Sequence, residues 1–247
     1  MLVWLSSYPR SGNTLLRTRL KDCFGLHTYS IYDDKFDIGA DERVSEFVGH
    51  VSHGMEESDF INFASKSDEL FIVKTHDVPP DARRVIYIAR DGRASAVSYH
   101  HYLKDLTSAR MSLQEVVVGS VLFGRWSRHV EGAVRRTSGE TLFLRYEDLV
   151  ENDEGVLQQV ARFLNRPLQY KEREEFSKYK SVMPSFFRSG SNSANIDEIY
   201  DVCPNLFWIM NGTAMNVLGY YHKDFHANQT LAAIELAEGL GGSRGVH

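Results

Sequence analysis

Three short groups of cationic, hydroxyl-bearing and imidazole side chains each follow a run of apolar residues in this sequence. The first is SYPRSGNT at residues 7–14. A turn between a strand and a helix presents free backbone N–H groups and the positive end of the helix dipole, which together suit a phosphate. Arg10 adds a full charge, and three side chains can donate hydrogen bonds: Ser11, Asn13 and Thr14. The standard P-loop lysine is missing, so an ordinary strand-to-helix turn is the alternative.

The second group lies within VIYIARDGRASAVS at residues 85–98. Arg90 stands at the end of an apolar run, and Ser98 follows two helical turns later. An arginine can clamp a phosphate through two parallel hydrogen bonds, so both residues could reach a second phosphate. A solvated turn is the alternative. Two such turns in one sheet favour a ligand with two separated phosphates.

The third group is Lys74-Thr75-His76, directly after the apolar run from Leu70 to Val73. Residues just past the carboxyl end of a parallel strand face the ligand crevice of an open α/β sheet. Histidine is the usual general base for a hydroxyl group. The chain has ten histidines, so a packing or surface role for His76 is an equal alternative on this pattern alone.

Strands that alternate with helices must position these groups. Four apolar runs predict buried strands, and periodic apolar residues predict the helices between and after them. Nearly continuous apolar strands indicate a parallel sheet that is covered on both faces, within a single domain over residues 1–247. The predicted strands are 2–7, 70–73, 85–89 and 141–145, and the predicted helices are 12–24, 94–106, 152–164 and 206–218. Residues 27–69 are interpreted as a helical or loop insertion.

These motifs, in this order, resemble those of the sulfotransferases that use 3′-phosphoadenosine 5′-phosphosulfate (PAPS). The family's YPKSGTTW loop is matched by YPRSGNTL at residues 8–15, and its KTH segment by residues 74–76. Its arginine and serine eight residues apart resemble Arg90 and Ser98, and its YEDL segment recurs at residues 146–149. Two later matches are an RKG-like element and an adenine-side phenylalanine with its lysine: Arg188, Ser189 and Gly190, then Phe176 and Lys180.

The resemblance implies a three-layer α/β fold of the P-loop nucleotide-kinase type, with PAPS as the sulfuryl donor and no metal. It implies that His76 is the general base, and that Lys74 and Arg10 stabilise developing charge. The implied cofactor-binding residues are Arg10, Ser11, Gly12, Asn13, Thr14, Arg90, Ser98, Tyr146, Phe176, Arg188, Ser189 and Gly190. This chain departs from the family where Arg10 replaces lysine and Leu15 replaces tryptophan, and where the late element lacks its second glycine.

Two other functions stay open. A small-molecule kinase using ATP would share the phosphate chemistry, although the GKS or GKT sequence and a persuasive aspartate for Mg²⁺ are missing. A sulfotransferase-like protein that binds the nucleotide without turnover is the second alternative. The acceptor is expected to be a small molecule carrying a hydroxyl or amine, in a pocket built from residues 27–69 and 107–121.

The amino-acid composition narrows the expected binding partners of the protein and its expected cellular compartment. The net charge is -5, from 28 basic and 33 acidic residues, so neither nucleic acid nor an anionic membrane is an expected partner. The two cysteines fit neither a disulfide framework nor a zinc site, and we expect a cytoplasmic protein. The first apolar run is too short for a signal peptide or an anchor. Four histidines are interpreted as surface or packing residues: His50, His53, His100 and His101. Residues 241–247 are expected to fray.

Overall fold

A computed structural model of the chain describes residues 1–32, 38–106, 110–169 and 196–220. Five strands form one parallel sheet in the order β2-β3-β1-β4-β5. The strands are β1 (Leu2–Ser6), β2 (Thr28–Ser30), β3 (Phe71–Thr75), β4 (Arg84–Ala89) and β5 (Thr141–Arg145). The predicted central parallel sheet is therefore confirmed.

Helices cover both faces of this sheet. In chain order the described helices are α1 (Asn13–Phe24), α2 (Glu42–Val48), α3 (Glu57–Lys66), α4 (Gly92–Leu106), α5 (Leu113–Val118), α6 (Trp126–Val134), α7 (Tyr146–Glu151), α8 (Asp153–Leu164), α9 (Asp197–Val202) and α10 (Pro204–Val217). Helices α1, α2 and α8 pack on one face, against Leu5 and Ile86, whereas α3 and α6 pack on the other, against Trp4 and Tyr87. Since both faces are covered, the central strands are apolar at nearly every position.

The segment 27–69 contains helices, which were one of its two predicted forms, and one strand that the sequence did not predict. It contains the edge strand β2, a 3₁₀ turn at Ile38–Ala40 and the helices α2 and α3. A three-residue strand gives almost no periodic signal, so the sequence predicted four strands where the described residues form five. Strand β2 pairs with β3 in a register that sets Ser30 beside Lys74.

The parallel register brings the candidate residues to one edge of the sheet. Ser6 pairs with Thr75 across β1 and β3, and β4 pairs with the other side of β1. The segments that follow β1, β3 and β4 therefore emerge side by side, and each carries one of the three polar groups. In the described part of the chain, no helix is long and apolar enough to span a membrane.

Candidate active site

The turn between β1 and α1 is built around two residues with left-handed backbone. Arg10 has φ 65° and Gly12 has φ 100°. A Cβ at residue 12 would lie 2.4 Å from Cδ2 of Tyr146, so glycine is required there for space as well as for conformation. Gly12 caps α1 without a side chain, and the first helical turn has no acidic residue. The positive end of the helix dipole is therefore left for an anion.

Polar side chains fix the start of α1 to its surroundings. The hydroxyl groups of Ser11 and Ser95 are 3.1 Å apart, and Asn13 Nδ2 donates to Ser7 Oγ at 3.2 Å. Asn13 Oδ1 is buried without a hydrogen-bond partner among the described residues. Thr14 is half-buried. A buried polar atom without a partner is costly, and bound ligand or water normally satisfies it.

We refer to the two predicted phosphate-binding turns, residues 7–14 after β1 and residues 90–98 after β4, as the anion turns. The second anion turn contacts the first. Arg90 follows β4, and its Nη1 donates to the carbonyl oxygen of Arg10 at 3.4 Å. Its guanidinium carbon lies 4.5 Å from the ring centre of Tyr146. Its Nε is buried and has no hydrogen-bond partner among the described residues. Arg10 Nε donates to Ser98 Oγ at 3.1 Å, so the two predicted phosphate turns form one connected surface.

His76 lies at the same edge, immediately after β3. Its Nδ1 is 2.9 Å from the carbonyl oxygen of Ser7. A carbonyl oxygen only accepts, so Nδ1 carries the proton and Nε2 keeps its lone pair. Burial, together with the positive charge of Lys74, holds the pKa of His76 well below 6.5. The ring is therefore neutral at neutral pH, which is the form a general base needs.

Lys74 is the only lysine of the described residues that is buried at this edge of the sheet. It pairs with Leu5 of β1 and Ser30 of β2, and its Nζ lies 5.6 Å from the ring centre of Tyr32. Lys74 also lies close enough to His76 for its charge to lower the pKa of the imidazole, and the catalytic roles of both residues stay predictions. Arg10 reaches α4 instead, where its guanidinium carbon lies 5.5 Å from the ring centre of Tyr102. Its proposed action on the transferring group stays a prediction.

Four predicted site residues cannot be compared with the structure. Phe176, Arg188, Ser189 and Gly190 lie outside the described residues. The roles given to Ser11, Gly12, Asn13, Thr14, Arg90, Ser98 and Tyr146 stay predictions, although all seven lie in or against the two connected turns.

Sequence reasoning missed three residues that surround His76. Tyr32 stacks on its ring with the centroids 5.8 Å apart, and Phe123 lies edge-on at 5.4 Å. His129 Nε2 is 2.8 Å from the carbonyl oxygen of His76. Tyr32 lies within segment 27–69, which the sequence predicts to be part of the acceptor pocket. No local pattern marks His129 or Phe123, because both come from distant parts of the chain.

The histidines that the sequence predicts to be packing or surface residues form specific contacts in the structure. His53 stacks on Phe60 with the ring centroids 4.0 Å apart. The ligand atoms of His100, His101 and Glu198 lie within 4.8 Å of one another. Glu198 comes from α9, so no sequence spacing could have predicted this group. His101 Nε2 and Glu198 Oε1 are 2.8 Å apart, within hydrogen-bonding distance.

The assembled edge can hold an anion and accept a proton. Uncapped first-turn amides, the guanidinium of Arg90 and the ammonium of Lys74 offer positive charge. His76 Nε2 offers a lone pair beside them. Arg90 Nε has no acceptor among the described residues, and an anion bound at this turn would supply one.

Comparisons with known proteins agree with this architecture. The sequence model of the family described as the sulfotransferase domain matches residues 2–192. The chain is 37% identical over 92 residues to sulfotransferase 2B1 of Mus musculus, a match covering 34% of this chain and 27% of that protein. It is 30% identical over 125 residues to sulfotransferase 1B1 of the same species, covering 44% of this chain and 41% of that protein. The chain thus matches less than half the length of these relatives.

A solved structure shows the same fold. The sulfotransferase domain from the curacin biosynthetic pathway superimposes with a TM-score of 0.51 at 14% identity, covering 89% of this chain and 97% of that one. The family match includes both anion turns and the segment that carries Lys74 and His76. The chain belongs to the sulfotransferase domain family.

Proposed function

We propose that this protein transfers a sulfuryl group from PAPS to a hydroxyl or amine of a small molecule. The observation that carries this proposal is the hydrogen bond from His76 Nδ1–H to the Ser7 carbonyl oxygen. It leaves Nε2 as a neutral base next to Lys74, at the edge where both anion turns meet. Family membership and this geometry point to the same chemistry.

The cofactor fits the residues that are present. PAPS supplies the sulfuryl group and leaves as adenosine 3′,5′-bisphosphate. The backbone amides of residues 12–14 would hold the 5′ side, since the Ser11 N–H already donates to the Tyr8 carbonyl oxygen at 3.3 Å, with Arg90 and Ser98 on the 3′ side. Arg90 Nε, which has no hydrogen-bond partner among the described residues, supports a phosphate bound at the second turn.

The chain's own residues would carry the proton and the charge. His76 Nε2 removes the acceptor proton while the acceptor oxygen or nitrogen forms its bond to sulfur and the bond from sulfur to the phosphate oxygen breaks. Lys74 stabilises the negative charge that develops on the leaving oxygen, as cations do in phosphoryl transfer. We expect no requirement for a metal ion, because these fixed cations supply the charge.

The acceptor would approach from the side of segment 27–69. A cavity of about 770 Å³ borders Thr75 and Asp77, the two neighbours of His76, and Glu56, Glu57 and Asp81 also line it. Neither His76 nor Lys74 lines this cavity, so we do not assign it as the acceptor pocket, and the contribution of residues 27–69 to that pocket stays a proposal. Residues 107–121 are also proposed to contribute to the acceptor pocket. We propose the cytoplasm as the compartment, since Cys23 and Cys203, both buried, form no disulfide bond.

One experiment tests the function directly. The protein is incubated with sulfur-labelled PAPS and a panel of phenols, alcohols, amines and sugars, with and without EDTA. We expect label transfer to at least one acceptor, with the rate unchanged by chelation. Activity with ATP that requires Mg²⁺ would support the kinase alternative. Tight binding of adenosine 3′,5′-bisphosphate without any turnover would support the non-catalytic alternative.

A further inference from the structure

The segment that carries His76 is held by side chains from two other elements. Tyr32, just after β2, and His129, in α6, form hydrogen bonds to the backbone of His76 on opposite sides of the residue. We refer to Tyr32 and His129 as the clamp. Neither residue belongs to the anion turns, and neither is assigned a role by the motifs.

The sheet register explains how Tyr32 reaches His76. Ser30 pairs with Lys74, and the backbone N–H of Ile31 donates to the Lys74 carbonyl oxygen at 3.2 Å. Tyr32 follows Ser30 by two residues, and His76 follows Lys74 by two residues, so Tyr32 and His76 are neighbours just beyond the ends of the two strands. The backbone N–H of His76 donates to the Tyr32 hydroxyl oxygen at 2.7 Å.

The hydroxyl of Tyr32 organises three consecutive residues at once. Besides the His76 amide, it contacts Thr75 Oγ1 at 3.2 Å and donates to Asp77 Oδ2 at 3.1 Å. Thr75 Oγ1 accepts the Asp77 backbone N–H at 3.0 Å, so its own hydrogen is free to point at the phenol oxygen. Each donor then has one acceptor, and the network is consistent with the capacity of every group.

His129 holds the other side of the same residue. Its Nε2 must donate to the His76 carbonyl oxygen at 2.8 Å, since that oxygen only accepts. Its Nδ1 is then an acceptor, and the hydroxyl of Tyr87 donates to it at 2.8 Å. His129 and Tyr87 are both buried, so this pair is shielded from competing water.

We infer that the clamp positions His76 for catalysis by fixing the backbone from which its ring reaches the Ser7 carbonyl oxygen. Tyr32 and His129 are positioning residues: they act through His76 and fix both the tautomer and the direction of Nε2. This inference rests on the proposed role of His76 as the base. A misplacement of about 1 Å at a reacting group can cost about 100-fold in rate.

The test is Tyr32→Phe, which keeps the ring that stacks on His76 and lies near Lys74 but removes the hydroxyl. We expect kcat to fall by about 10- to 100-fold, with unchanged affinity for adenosine 3′,5′-bisphosphate and unchanged KM for PAPS. Tyr200→Phe is the matched control, because Tyr200 lies in α9, outside the predicted pocket segments, and its hydroxyl oxygen accepts from Arg93 Nη1 at 2.8 Å. It should retain full activity.

A second variant guards against a folding effect. Tyr87→Phe removes the donor to His129 without touching His76, and should lower kcat in the same direction but by less. Long-range nitrogen NMR of the histidine rings reports the tautomer without any turnover. We expect His76 to be protonated at Nδ1 in the unsubstituted protein and to become a tautomer mixture in Tyr32→Phe.

The outcomes separate this inference from the proposed function. If His76→Ala abolishes turnover while Tyr32→Phe retains both kcat and the Nδ1–H tautomer, the positioning role of the clamp is wrong. The role of His76 as the general base then still holds. If His76→Ala retains turnover, the base itself is wrong, and a tautomer change in Tyr32→Phe would then show a structural clamp without a catalytic consequence.

Discussion

Nδ1 of His76 donates to the carbonyl oxygen of Ser7 at 2.9 Å, so the proposed base is bonded directly to the backbone of the first anion turn. Ser7 N–H in turn donates to the carbonyl oxygen of Thr75 at 3.4 Å. The two segments therefore hold each other at the end of the β1–β3 pair. A change in the turn would shift the base as well as the phosphate site.

Replacing His76 with alanine is expected to remove the base and leave the nucleotide site intact. Turnover should fall by about 10²- to 10⁴-fold, while the affinity for adenosine 3′,5′-bisphosphate should stay unchanged. The loss should be smaller with an acidic phenol, which is already partly ionised. Steady-state rates and calorimetry measure both quantities, and the exposed His27 provides a matched control in His27→Ala. Loss of nucleotide binding would contradict the assignment.

The activity should persist under mildly acidic conditions. Burial and the charge of Lys74 lower the pKa of His76, so the neutral, active form dominates down to pH values below 6.5. The acid limb of the kcat/KM profile should therefore lie below pH 6.5. In Lys74→Met the lost positive charge should raise the pKa of His76 and move this limb to higher pH, although kcat also falls. An acid limb above pH 6.5 in the unsubstituted protein would argue against His76 as the titrating group.

Arg90 is expected to recognise the 3′-phosphate. Losing a charge-assisted hydrogen bond costs about 1.5–3 kcal/mol, so Arg90→Ala should bind adenosine 3′,5′-bisphosphate about 10- to 100-fold more weakly. AMP, which lacks the 3′-phosphate, should bind both proteins alike. Arg43→Ala is a suitable control, since the side chain of Arg43 is 88% exposed. Calorimetry showing an equal loss for both nucleotides would place Arg90 elsewhere in the site.

Gly12 should tolerate no side chain. Its φ of 100° costs an L-residue about 1–2 kcal/mol, and a methyl group only 2.4 Å from Tyr146 Cδ2 adds an overpacking cost of about 1–3 kcal/mol. Gly54→Ala separates the two effects, because Gly54 has φ 63° but no atom within 4 Å of an added Cβ. Urea denaturation should show a larger loss of unfolding free energy for Gly12→Ala than for Gly54→Ala. Equal losses would mean that Tyr146 moves aside without cost.

Much of the architecture could be read from local patterns in the sequence. The strand β5 was predicted with the bounds that the structure has, and β1, β3 and β4 within two residues of theirs. Continuous apolar runs predict buried parallel strands because both faces of such a sheet are covered. The same reasoning could not find β2, since three residues on a sheet edge carry too little pattern.

The sequence by itself determined that two anion turns and a Lys-Thr-His segment follow buried strands, and that these strands form a parallel sheet. Only the tertiary structure decided the partners of those residues. Tyr32 and His129 lie 44 and 53 positions from His76 in the sequence. Arg10 donates a hydrogen bond to Ser98, which lies 88 positions away. Strand order and register bring these positions together, whereas local spacing records only neighbours along the chain. The protonated nitrogen of His76 likewise depends on the carbonyl group of Ser7, which the fold of β1 beside β3 brings within hydrogen-bonding distance.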